Sequence, residues 1–469
     1  MKPLAIIKPN DIPVTIRDIC QYLRDQGGQA WLVGGSIRDL LLGATAKDYD
    51  LEIYGLDTHA LACALRKMGH CEMVGKQFGV HKLWLNGMEI DVALPRTEFK
   101  QGHGHRGFAV QTDPNLSTEI ATLRRDFTIN AMMFDPLENK LLDFHGGQAD
   151  LHKKILRHVS SAFSEDPLRP LRAMQFAARF ELTLAPATAA LCRMLQPQAA
   201  TLPASRIWQE WRKWVHAPSP SFGLTALKES GWLTTYTELD RLQTCPQNPH
   251  YHPEGSVWSH TLQVVDQAAM IAERNKLTPA NRELLVLSAL CHDLGKPVTT
   301  IESNGRICSP NHAAAGAPLS CQLLHRLHAP AYIGKSLRPL VLDHLTHLHS
   351  EPTARAIRRL AHRLQPASIE MWEMLVEADA SGRAPSPPSR PAYHWLKLAQ
   401  AMQQQHQPVA AIINGAILME HAILPGKKMG DMLKKAYEAQ LNGDFDSTES
   451  GREWLQTYLK QTNPDKPLL

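Results

Sequence analysis

The sequence predicts an N-terminal α+β domain, built on a mixed sheet with helices, followed by an all-helical remainder. Strand-like segments with period-two alternation occur only early in the chain, as in residues 49–53, where apolar and acidic side chains alternate. A Gly-Gly turn after a short apolar run, at residues 31–35, indicates a strand that leads into a helix. From about residue 150 the apolar positions follow a 3.6-residue repeat, as in residues 168–180.

Composition favours a globular protein with several domains. The chain has 469 residues, of which 43% are hydrophobic and 20% charged, so about two to four domains are expected. We find no apolar run long enough to span a membrane, and the apolar stretch at the start is too short for a secretory signal. The eight cysteines are scattered without a CxxC pair, which favours reduced thiols and a cytoplasmic location. The net charge of +4 does not by itself indicate nucleic-acid binding.

Changes in composition divide the chain into four regions. A Pro/His-rich stretch at residues 245–253 and a Pro-rich stretch at residues 384–391 have the composition of boundaries. The regions that we expect are an α+β head at 1–150, a helical neck at 151–245, a second helical domain at 246–383 and a helical tail at 392–469.

The Gly-Gly turn carries the first functional signal. Apolar residues 31–33 precede Gly34-Gly35, and Arg38 follows within the first helical turn. Such a turn lets backbone N–H groups approach a phosphate closely. The segment therefore predicts a phosphate-binding site.

A paired carboxylate motif follows this turn. Asp48 and Asp50 share one face of the alternating strand, and carboxylates at i and i+2 are well placed to hold a divalent metal beside a triphosphate. A third carboxylate is expected from a neighbouring strand, and Asp91 lies on the polar face of the alternating segment 89–94. Together these residues predict a nucleotidyl-transfer site with Asp48, Asp50 and Asp91 as its catalytic carboxylates.

Four motifs occur in an order and spacing that resemble a known superfamily. They are Leu-Val-Gly-Gly-Ser-Ile-Arg-Asp-Leu-Leu-Leu-Gly at 32–43, Lys-Asp-Tyr-Asp at 47–50, Leu-Arg-Arg-Asp-Phe-Thr-Ile-Asn-Ala at 123–131, and Phe-Ser-Glu-Asp-Pro-Leu-Arg-Pro-Leu-Arg-Ala at 163–173. Over about 150 residues the chain resembles the polymerase-β-like nucleotidyltransferases, specifically the class II tRNA nucleotidyltransferases (CCA-adding enzymes) and the bacterial poly(A) polymerases.

The resemblance implies roles for residues of the head. Gly35 and Arg38 would contact the triphosphate, Asp48 and Asp50 would bind Mg²⁺, and Arg125 of the Arg-Arg-Asp motif would contact the nucleotide. The glycines of residues 95–107 predict a loop. In the family, loops at this place help the enzyme switch between CTP and ATP; an ordinary hairpin connection is the alternative.

The last of the four motifs suggests how a base would be selected. Helical spacing puts Asp166, Arg169 and Arg172 at i, i+3 and i+6, so we expect Asp166 and Arg169 to share one helix face. A surface ion pair is the alternative interpretation. In the family such a pair presents hydrogen-bonding groups to the incoming base, so that protein replaces a nucleic-acid template.

A second set of residues lies in the region 246–383. His260, the pair His292-Asp293, and Asp379 follow the His…His-Asp…Asp order of the HD-superfamily phosphohydrolases, which this region resembles. Two imidazoles and two carboxylates can hold a divalent transition metal that activates water. Three further histidines between these motifs are candidates to line the pocket: His312, His344 and His347.

These features together lead to one preferred function and several alternatives. An HD region distinguishes one bacterial subgroup of CCA-adding enzymes from the poly(A) polymerases, which carry a basic tail instead. The preferred function is therefore the addition of C, C and A to tRNA 3′ ends from CTP and ATP, with release of pyrophosphate, two-metal catalysis and an additional HD phosphohydrolase activity. The alternatives are a poly(A) polymerase, an A-adding enzyme, or mainly an HD phosphohydrolase with an RNA-binding head. The oligomeric state is not predicted.

Overall fold

The structure is a computed structural model that describes residues 3–46, 48–74, 79–100, 108–383 and 390–462. The chain forms two compact units, Met1–Thr235 and Tyr236–Leu469. The glycines of the predicted nucleotide-switching loop, at 102, 104 and 107, lie outside the described residues, as do Lys47 and most of the Pro-rich stretch, 384–389. All eight cysteines are described, and all are free thiols.

The first unit contains the β-structure that the sequence predicts. Its strands are β1 (Gln29–Val33), β2 (Tyr49–Tyr54), β3 (His70–Val74), β4 (Val80–Leu85), β5 (Met88–Ala93), β6 (Arg96–Lys100), β7 (Phe108–Thr112), β8 (Met133–Asp135), β9 (Lys140–Leu142), β10 (Ile155–Leu156) and β11 (Thr183–Leu184). Its helices are α1 (Val14–Asp25), α2 (Gly35–Leu41), α3 (Thr58–Met68), α4 (Thr118–Thr122), α5 (Gly147–His152), α6 (Arg169–Phe180), α7 (Pro186–Leu195), α8 (Ala204–Val215) and α9 (Pro220–Glu229).

Seven of these strands form one mixed sheet in the order β3-β4-β5-β2-β1-β8-β9. Strands β2 and β5 are parallel, whereas β1 and β2 are antiparallel. Because residues alternate between the two faces of a strand, the register decides which polar side chains meet. Asp50 is the register partner of Val33 on β1 and of Asp91 on β5. The sheet therefore brings the Asp-x-Asp strand between the Gly-Gly turn and the third predicted carboxylate.

Helices α6 to α9 follow the sheet and form the neck region. Helix α6 packs against α8 and α9. Trp211 and Trp214 of α8 are fully buried, with ring centroids 5.2 Å apart in an edge-to-face arrangement, and the Trp214 indole N–H donates to the carbonyl of Pro220 at 2.8 Å. Because this hydrogen bond pairs the only polar atom of the indole, the ring can be buried in the hydrophobic core. This packing fixes the helix that carries Arg169 and Arg172.

The second unit is mostly helical. Its helices are α10 (Thr237–Asp240), α11 (Val257–Arg274), α12 (Pro279–Cys291), α13 (Lys296–Thr299), α14 (His312–Arg326), α15 (Ala331–Asp343), α16 (Thr346–His349), α17 (Ala354–Leu364), α18 (Ile369–Ser381), α19 (Tyr393–Ala401), α20 (Gly415–Glu420), α21 (Lys427–Asn442) and α22 (Thr448–Thr462). Helices α20 to α22 surround a small apolar core of their own, which includes Leu418, Phe445 and Leu455. No helix in the described part of the chain has the length and hydropathy to cross a bilayer.

One hairpin departs from the predicted all-helical pattern of this unit. Strand β12 (Ile301–Ser303) pairs antiparallel with β13 (Arg306–Cys308). The connecting residues, Asn304 and Gly305, both have positive φ, at 53° and 69°. An Asn-Gly pair is the preferred two-residue hairpin turn, so the dipeptide was a strand signal that the helical interpretation overlooked.

A close backbone contact organises the centre of the second unit. At Gly295 an added Cβ would lie 2.0 Å from the carbonyl oxygen of His312 and 2.6 Å from the backbone nitrogen of Gly316. Only glycine permits this approach. The contact holds the turn after Asp293 against the first turn of α14, and so brings two separate histidine motifs together.

Candidate functional site

A polar cleft of about 780 Å³ opens in the first unit, where the sheet meets the neck helices. Most of the charged residues from the four motifs line it. The lining includes Gly34, Gly35, Arg38, Asp48, Asp50, Arg124, Arg125, Asp126, Asn130, Asp166, Arg169, Arg172, Phe176, Arg179, Phe180 and Arg206. The carboxylates of Asp50 on β2 and of Asp48, which immediately precedes β2, therefore face a wall dominated by guanidinium groups. Such a wall suits a polyanion that binds together with a divalent metal.

The Gly-Gly turn lies directly against the paired carboxylates. Gly34 has φ +79°, and an added Cβ would lie 3.1 Å from Oδ2 of Asp50 and 3.4 Å from Nη1 of Arg125. The positive φ favours glycine here, and a Cβ would require the carboxylate of Asp50 to shift by a few tenths of an ångström. The turn, Asp50 and Arg125 form one packed corner of the cleft.

The three predicted carboxylates differ in their surroundings. Asp48 is exposed, Asp50 is half-buried, and Asp91 lies beside Asp50 on the neighbouring parallel strand. Burial raises the pKa of Asp50, Arg125 opposes that rise, and the negative charges of Asp91 and Asp48 add to it. In the described part of the chain, the carboxylate oxygens of these three residues do not all lie within 4.8 Å of one another. Mg²⁺ prefers oxygen ligands, and its positive charge would offset the repulsion between these carboxylates. The three residues therefore fit that metal.

A fourth carboxylate on the same strand anchors the Arg-Arg-Asp motif. Glu52 is buried, accepts from Nη2 of Arg124 at 2.6 Å and from the hydroxyl of Tyr54 at 2.8 Å, and lies 3.5 Å from Nη2 of Arg125. Burial alone would raise the pKa of Glu52, but the two arginines hold it below its ordinary value. Sequence reasoning put Glu52 on the polar strand face without giving it a role; its position two residues after Asp50 was the available signal.

Arg38, which the sequence predicts to contact phosphate, already makes several contacts within the protein. The side chain is buried and donates from Nε and Nη2 to Oδ1 of Asp39 at 2.9 and 2.7 Å, and from Nη1 to Oδ1 of Asn130 at 2.6 Å. Its guanidinium also lies 4.3 Å from the ring centroid of Phe180. The guanidinium of Arg179, which also lines the cleft, lies 5.0 Å from the centroid of the same ring. Arg38 therefore ties the turn to the neck helix at the edge of the cleft.

The structure corrects the predicted placement of Asp166. Helix α6 begins at Arg169, so Asp166 precedes the helix and does not share a helix face with Arg169. The residue before a proline is disfavoured in helical conformation, and Asp166 is extended before Pro167. Its carboxylate accepts from the backbone N–H of Leu168 at 3.0 Å and pairs with Nη2 of Arg206 on α8 at 3.3 Å.

The two arginines of the same motif hold the neck to the head segment. Arg169 donates to the carbonyls of Ala162 and Arg124 at 2.9 and 2.7 Å. Arg172 donates to Oδ2 of Asp126 through Nε at 2.8 Å and Nη2 at 2.6 Å. Arg206 was not among the predicted site residues, because the pairing of Asp166 with α8 depends on tertiary packing. The residues of this group that line the cleft are Arg124, Asp126, Asp166, Arg169, Arg172 and Arg206.

The second unit gathers the four residues of the predicted HD site. His260, His292, Asp293 and Asp379 are all buried. Nε2 of His260 lies 3.0 Å from Oδ1 of Asp379 and 3.9 Å from Oδ2 of Asp293, and Nε2 of His292 lies 3.1 Å from that same Oδ2. Nε2 of His292 is buried without a hydrogen-bond partner, and Oδ2 of Asp293, which faces it, also lies 2.7 Å from Nζ of Lys296. Buried acceptor atoms facing one another fit a bound cation.

Hydrogen bonds behind the imidazoles fix their orientation. Nδ1 of His292 lies 2.7 Å from the carbonyl oxygen of Ala289, and Nδ1 of His260 lies 2.9 Å from Oε1 of Glu254. A carbonyl or carboxylate oxygen accepts only, so Nδ1 of each ring carries a proton and Nε2 is the atom directed towards the carboxylates of the cluster. Metal-binding histidines are commonly held this way. Glu254 is a residue that sequence reasoning missed; it directly follows the stretch 245–253, which was interpreted only as a boundary.

The HD residues lie beside a second cleft of about 380 Å³ that carries positive charge. Nζ of Lys296 lies 2.7 Å from Oδ2 of Asp293, and Nη2 of Arg383 donates to Oδ1 of Asp379 at 2.8 Å. Both cations line the cleft, together with His312 and His344, whereas His347 is not among its lining residues. The arrangement can bind a phosphoester next to a metal and provides cations for its oxygens.

Comparison with known protein families matches three segments of the chain. Residues 30–157 match the family described as "Poly A polymerase head domain", residues 181–238 match "Probable RNA and SrmB- binding site of polymerase A", and residues 257–379 match "HD domain". The first segment contains the paired carboxylates, and the third runs from the start of α11 to Asp379.

Curated relatives and solved structures agree with one another. A protein of Hahella chejuensis named "Multifunctional CCA protein" is 37% identical over 76% of this chain and 82% of its own length, and one of Xanthomonas campestris with the same name is 36% identical over 87% and 96%. The Bacillus stearothermophilus CCA-adding enzyme in complex with CTP superposes with a TM-score of 0.66 at 20% identity, covering 97% of this chain and all of that one. The Thermotoga maritima CCA-adding enzyme complexed with tRNA superposes with a TM-score of 0.60 at 19% identity, covering 98% and 100%.

The structural neighbours share the fold, and the curated relatives share sequence through both the nucleotidyltransferase and the HD regions. The order of the motifs, the mixed sheet with its paired carboxylates and the buried His/Asp cluster all agree with that relationship. The chain therefore belongs to the family of multifunctional CCA proteins, the HD-bearing class II tRNA nucleotidyltransferases.

Proposed function

We propose that this chain adds C, C and A to the 3′ ends of tRNA, using CTP and ATP and releasing pyrophosphate. The observation that carries this proposal is the cleft of the first unit, where Asp48 and Asp50 face an arginine-rich wall and the neck segment that begins at Asp166. The relatives' names support the CCA product, and the neighbouring structures hold CTP, ATP or tRNA. We further propose that this takes place in the cytoplasm.

We propose that four domains divide the chain: a head at 1–150, a neck at 151–245, an HD domain at 246–383 and a tail at 392–469. The head supplies the reacting carboxylates, and the neck supplies the base-selecting residues. The matched family segments, at 30–157, 181–238 and 257–379, each begin within one of the first three.

Asp48, Asp50 and Asp91 are proposed to hold Mg²⁺ in the head. When bound, paired divalent ions would lower the pKa of the attacking ribose hydroxyl and stabilise the leaving pyrophosphate. Burial is the main cause of the raised pKa of Asp50, and the negative charges of Asp91 and Asp48 add to it. A cation bound among these carboxylates would offset that repulsion. The parallel pairing of β2 with β5 places Asp91 beside Asp50.

The triphosphate is proposed to lie along the Gly-Gly turn. The backbone N–H groups near Gly35 and the guanidinium of Arg125 would bind its oxygens. Arg38 contributes positive potential from behind the turn, while its bonds to Asp39 and Asn130 hold the turn in position. Arg125 is fixed by Glu52 and by contact with the turn.

The base is proposed to be read by Asp166 and Arg169, with Arg172 supporting the segment. A carboxylate accepts and a guanidinium donates, so the pair can satisfy the exocyclic groups of C or A. The salt bridge to Arg206 aims the carboxylate of Asp166 into the cleft. Because no nucleic-acid template is required, the order of addition depends on how this pocket changes as the tRNA end grows.

Incorporation assays with tRNA that lacks its 3′ end test this function. We expect two C additions with CTP alone and a complete CCA end with both nucleotides. A long A tail made from ATP alone would favour a poly(A) polymerase, and addition of A only to a CC-ended tRNA would favour an A-adding enzyme. Binding of tRNA should weaken as salt rises, since basic helices contact phosphates; salt-independent affinity would contradict that binding mode.

We infer a second activity, metal-dependent phosphoester hydrolysis, at the HD site. The specific observation is the buried cluster of His260, His292, Asp293 and Asp379 with its inward Nε2 atoms. A divalent transition metal suits imidazole and carboxylate ligands, and when bound it would supply a hydroxide nucleophile near neutral pH. Lys296 and Arg383 would bind the phosphate oxygens at the mouth of the cleft.

Paired variants separate the two activities. Asp48→Ala with Asp50→Ala should abolish nucleotide addition and leave hydrolysis of a generic phosphodiester intact. His292→Ala should do the reverse. If the double head variant retained the principal activity, the chain would be mainly a hydrolase with an RNA-binding head.

A further inference from the structure

Helix α6 carries one arginine to which no sequence motif assigns a role, Arg179. Its side chain is exposed and lines the cleft of the first unit. We propose that Arg179 binds the two terminal phosphates of the incoming nucleoside triphosphate, the part that leaves as pyrophosphate. This inference rests on the proposed nucleotide addition, and it identifies a residue that distinguishes triphosphates from shorter nucleotides.

Helical spacing places Arg179 on the side of α6 that faces the cleft. Arg172 and Phe176 precede it by seven and three residues, so the three side chains follow one another along one face of the helix. All three line the cleft, and so does Phe180. The position of Arg179 in the cleft wall therefore follows from the helix itself and does not depend on one rotamer of an exposed side chain.

Two phenylalanine rings hold the guanidinium of Arg179 near that of Arg38. The rings of Phe176 and Phe180 are stacked, with centroids 6.2 Å apart and planes at 20°. The Arg179 guanidinium lies 5.0 Å from the Phe180 centroid and 5.9 Å from that of Phe176. The Arg38 guanidinium lies 4.3 and 5.4 Å from the same two centroids. Because aromatic faces attract cations, the rings keep two positive charges together at one end of the cleft.

The two arginines differ in the groups that neutralise them. Arg38 is buried and bonded to Asp39 and Asn130. Among the residues that the structure describes, Arg179 pairs with no carboxylate, and its guanidinium contacts the two rings. Burial lowers the pKa of Arg38, and the positive charge of Arg179 adds to that effect. The two charges repel each other, so an anion bound beside Arg179 would be stabilised by both.

The length of α6 matches the proposed course of the nucleotide. Arg169, which is proposed to read the base, begins the helix, and Arg179 lies ten residues later. At 1.5 Å per residue the two positions are about 15 Å apart along the helix axis. An added Cβ at Gly35 would lie 3.3 Å from Nη2 of Arg38, so the arginine pair lies at the Gly-Gly end of the cleft. A nucleotide whose base contacts Arg169 would therefore run along α6 and bring its terminal phosphates to Arg179.

The terminal phosphates are also the group on which negative charge grows in the proposed reaction. The ribose hydroxyl oxygen at the tRNA end forms a bond to the α-phosphorus and gives up its proton to water. The bond from that phosphorus to the oxygen of the β-phosphate breaks, and its electron pair leaves with pyrophosphate. A guanidinium at this group donates charge-assisted hydrogen bonds that strengthen as the charge grows. Arg179 would therefore assist both nucleotide binding and the departure of pyrophosphate.

A phosphate of the tRNA backbone is the other anion that an exposed arginine of this cleft could meet. Such a contact would raise the KM for tRNA and reduce the salt dependence of tRNA binding, without changing the affinity for pyrophosphate. A solvated side chain that only packs on Phe180 would change neither. Both alternatives are outcomes of the test below.

Binding measurements on the full-length chain, with Mg²⁺ and without tRNA, test the proposal. The affinities for CTP, CMP and pyrophosphate are compared between the unchanged chain and Arg179→Gln. We expect the variant to bind CTP and pyrophosphate about tenfold more weakly, the effect of losing one hydrogen bond to a charged group, and to bind CMP equally well. Arg179→Lys keeps the charge and should restore part of the affinity. The control is Arg66→Gln, an exposed arginine of α3 that is not among the lining residues of the cleft.

Steady-state nucleotide addition gives a second readout. Arg179→Gln should raise the KM for CTP and for ATP by the same factor, because the two nucleotides share the triphosphate. It should raise the pyrophosphate concentration that inhibits addition and leave the KM for tRNA unchanged. Circular dichroism and thermal unfolding identify a variant that fails to fold, and Arg179→Lys then decides.

Three results would overturn the proposal: unchanged affinity of Arg179→Gln for pyrophosphate, an equal loss of affinity for CTP and CMP, or a raised KM for tRNA alone. The last result would assign Arg179 to the tRNA backbone. Failure of the proposed function gives a different pattern. If the unchanged chain made a product other than CCA while Arg179→Gln still lost affinity for CTP and pyrophosphate, the function would be wrong and the role of Arg179 would stand. If the unchanged chain bound neither CTP nor pyrophosphate, both proposals would be contradicted.

Discussion

Arg172 donates to one oxygen of Asp126 through both Nε and Nη2, at 2.8 and 2.6 Å, across 46 residues of sequence. The contact joins the Arg-Arg-Asp motif to the neck motif. Asp126 also accepts from Nδ2 of Asn130 at 3.1 Å, and Asn130 in turn accepts from Arg38. Three of the four sequence motifs are therefore linked by one buried hydrogen-bond network. This network, and not sequence proximity, determines the shape of the cleft.

Replacing Asp126 with Asn should loosen that network. Burial tends to raise the pKa of Asp126, but Arg172 and Asn130 hold it below its ordinary value, so the carboxylate is ionised at neutral pH. Losing a charge-assisted bond to a buried group costs about 2 kcal/mol. We expect a matching loss of stability in calorimetry and a higher KM for both nucleotides. The control is Asp18→Asn, an exposed residue of α1. Equal stability of both variants would contradict the proposed importance of the network.

The stability of the first unit should depend on pH through Glu52. Burial alone would raise its pKa, yet Arg124, Arg125 and Tyr54 hold that pKa below its ordinary value of 4.5. The stabilising contribution is therefore complete above pH 4.5 and is lost as pH falls through the lower value of the folded state. Glu52→Gln should cost about 1–3 kcal/mol at pH 7, and its difference from the unchanged chain should shrink below pH 4.5.

Unfolding scans between pH 7 and pH 3 check this dependence. Glu138→Gln is the control, because Glu138 pairs with Arg24 at the surface and is 59% exposed, and such pairs contribute little. A difference between Glu52→Gln and the unchanged chain that stays constant down to pH 3 would show that Glu52 is not stabilised as an anion.

Gly34 and Gly43 offer a matched pair of substitutions. Both have positive φ, +79° and +75°, but an added Cβ at Gly34 would meet Asp50 and Arg125, whereas at Gly43 none of the described atoms lies within 4 Å. Alanine at either position costs on the order of 1 kcal/mol in backbone strain. Only Gly34→Ala should also displace the carboxylate and reduce nucleotide addition, on the order of tenfold or more. Equal activity of the two variants in a tRNA extension assay would argue against the packed corner.

Asp91 is predicted to act in the chemical step and not in nucleotide binding. Asp91→Asn should lower kcat on the order of 100-fold with little change in nucleotide affinity, because a metal-binding oxygen loses its charge. Glu89→Gln is the control from the same strand, since Glu89 pairs with Lys82 at the surface. Single-turnover kinetics and nucleotide binding measured separately distinguish the two effects. A large loss of affinity with normal kcat would instead make Asp91 a binding residue.

The sequence alone predicted most of the elements that build the cleft. Period-two alternation marked β2 and β5, and the Gly-Gly pair marked the turn between β1 and α2, because these patterns are local. The same local reasoning failed at Asp166. Helical spacing suggested a shared face with Arg169, but Pro167 keeps Asp166 extended and the partner of its carboxylate comes from α8. That pairing depends on how two helices pack, which no periodicity encodes.

The HD region shows the same division between local and tertiary information. The His-Asp dipeptide and its partners were visible in the sequence, but the orientation of the imidazoles was not. Nδ1 of His312 and of His344 each bind a carbonyl three residues earlier, and this turns both Nε2 atoms towards Asp293. Glu254 directly follows the Pro/His-rich stretch 245–253, which composition marked only as a boundary, although its carboxylate lies 2.9 Å from Nδ1 of His260.

The measurement that most directly tests the central claim is sequencing of the product formed on tRNA that lacks its 3′ end, with CTP and ATP both present. The account predicts that the enzyme adds C, C and A in that order and stops. Asp50→Ala should add nothing, while His292→Ala should add the same three nucleotides. An open-ended A tail, addition of A alone, or unchanged extension by Asp50→Ala would contradict the account.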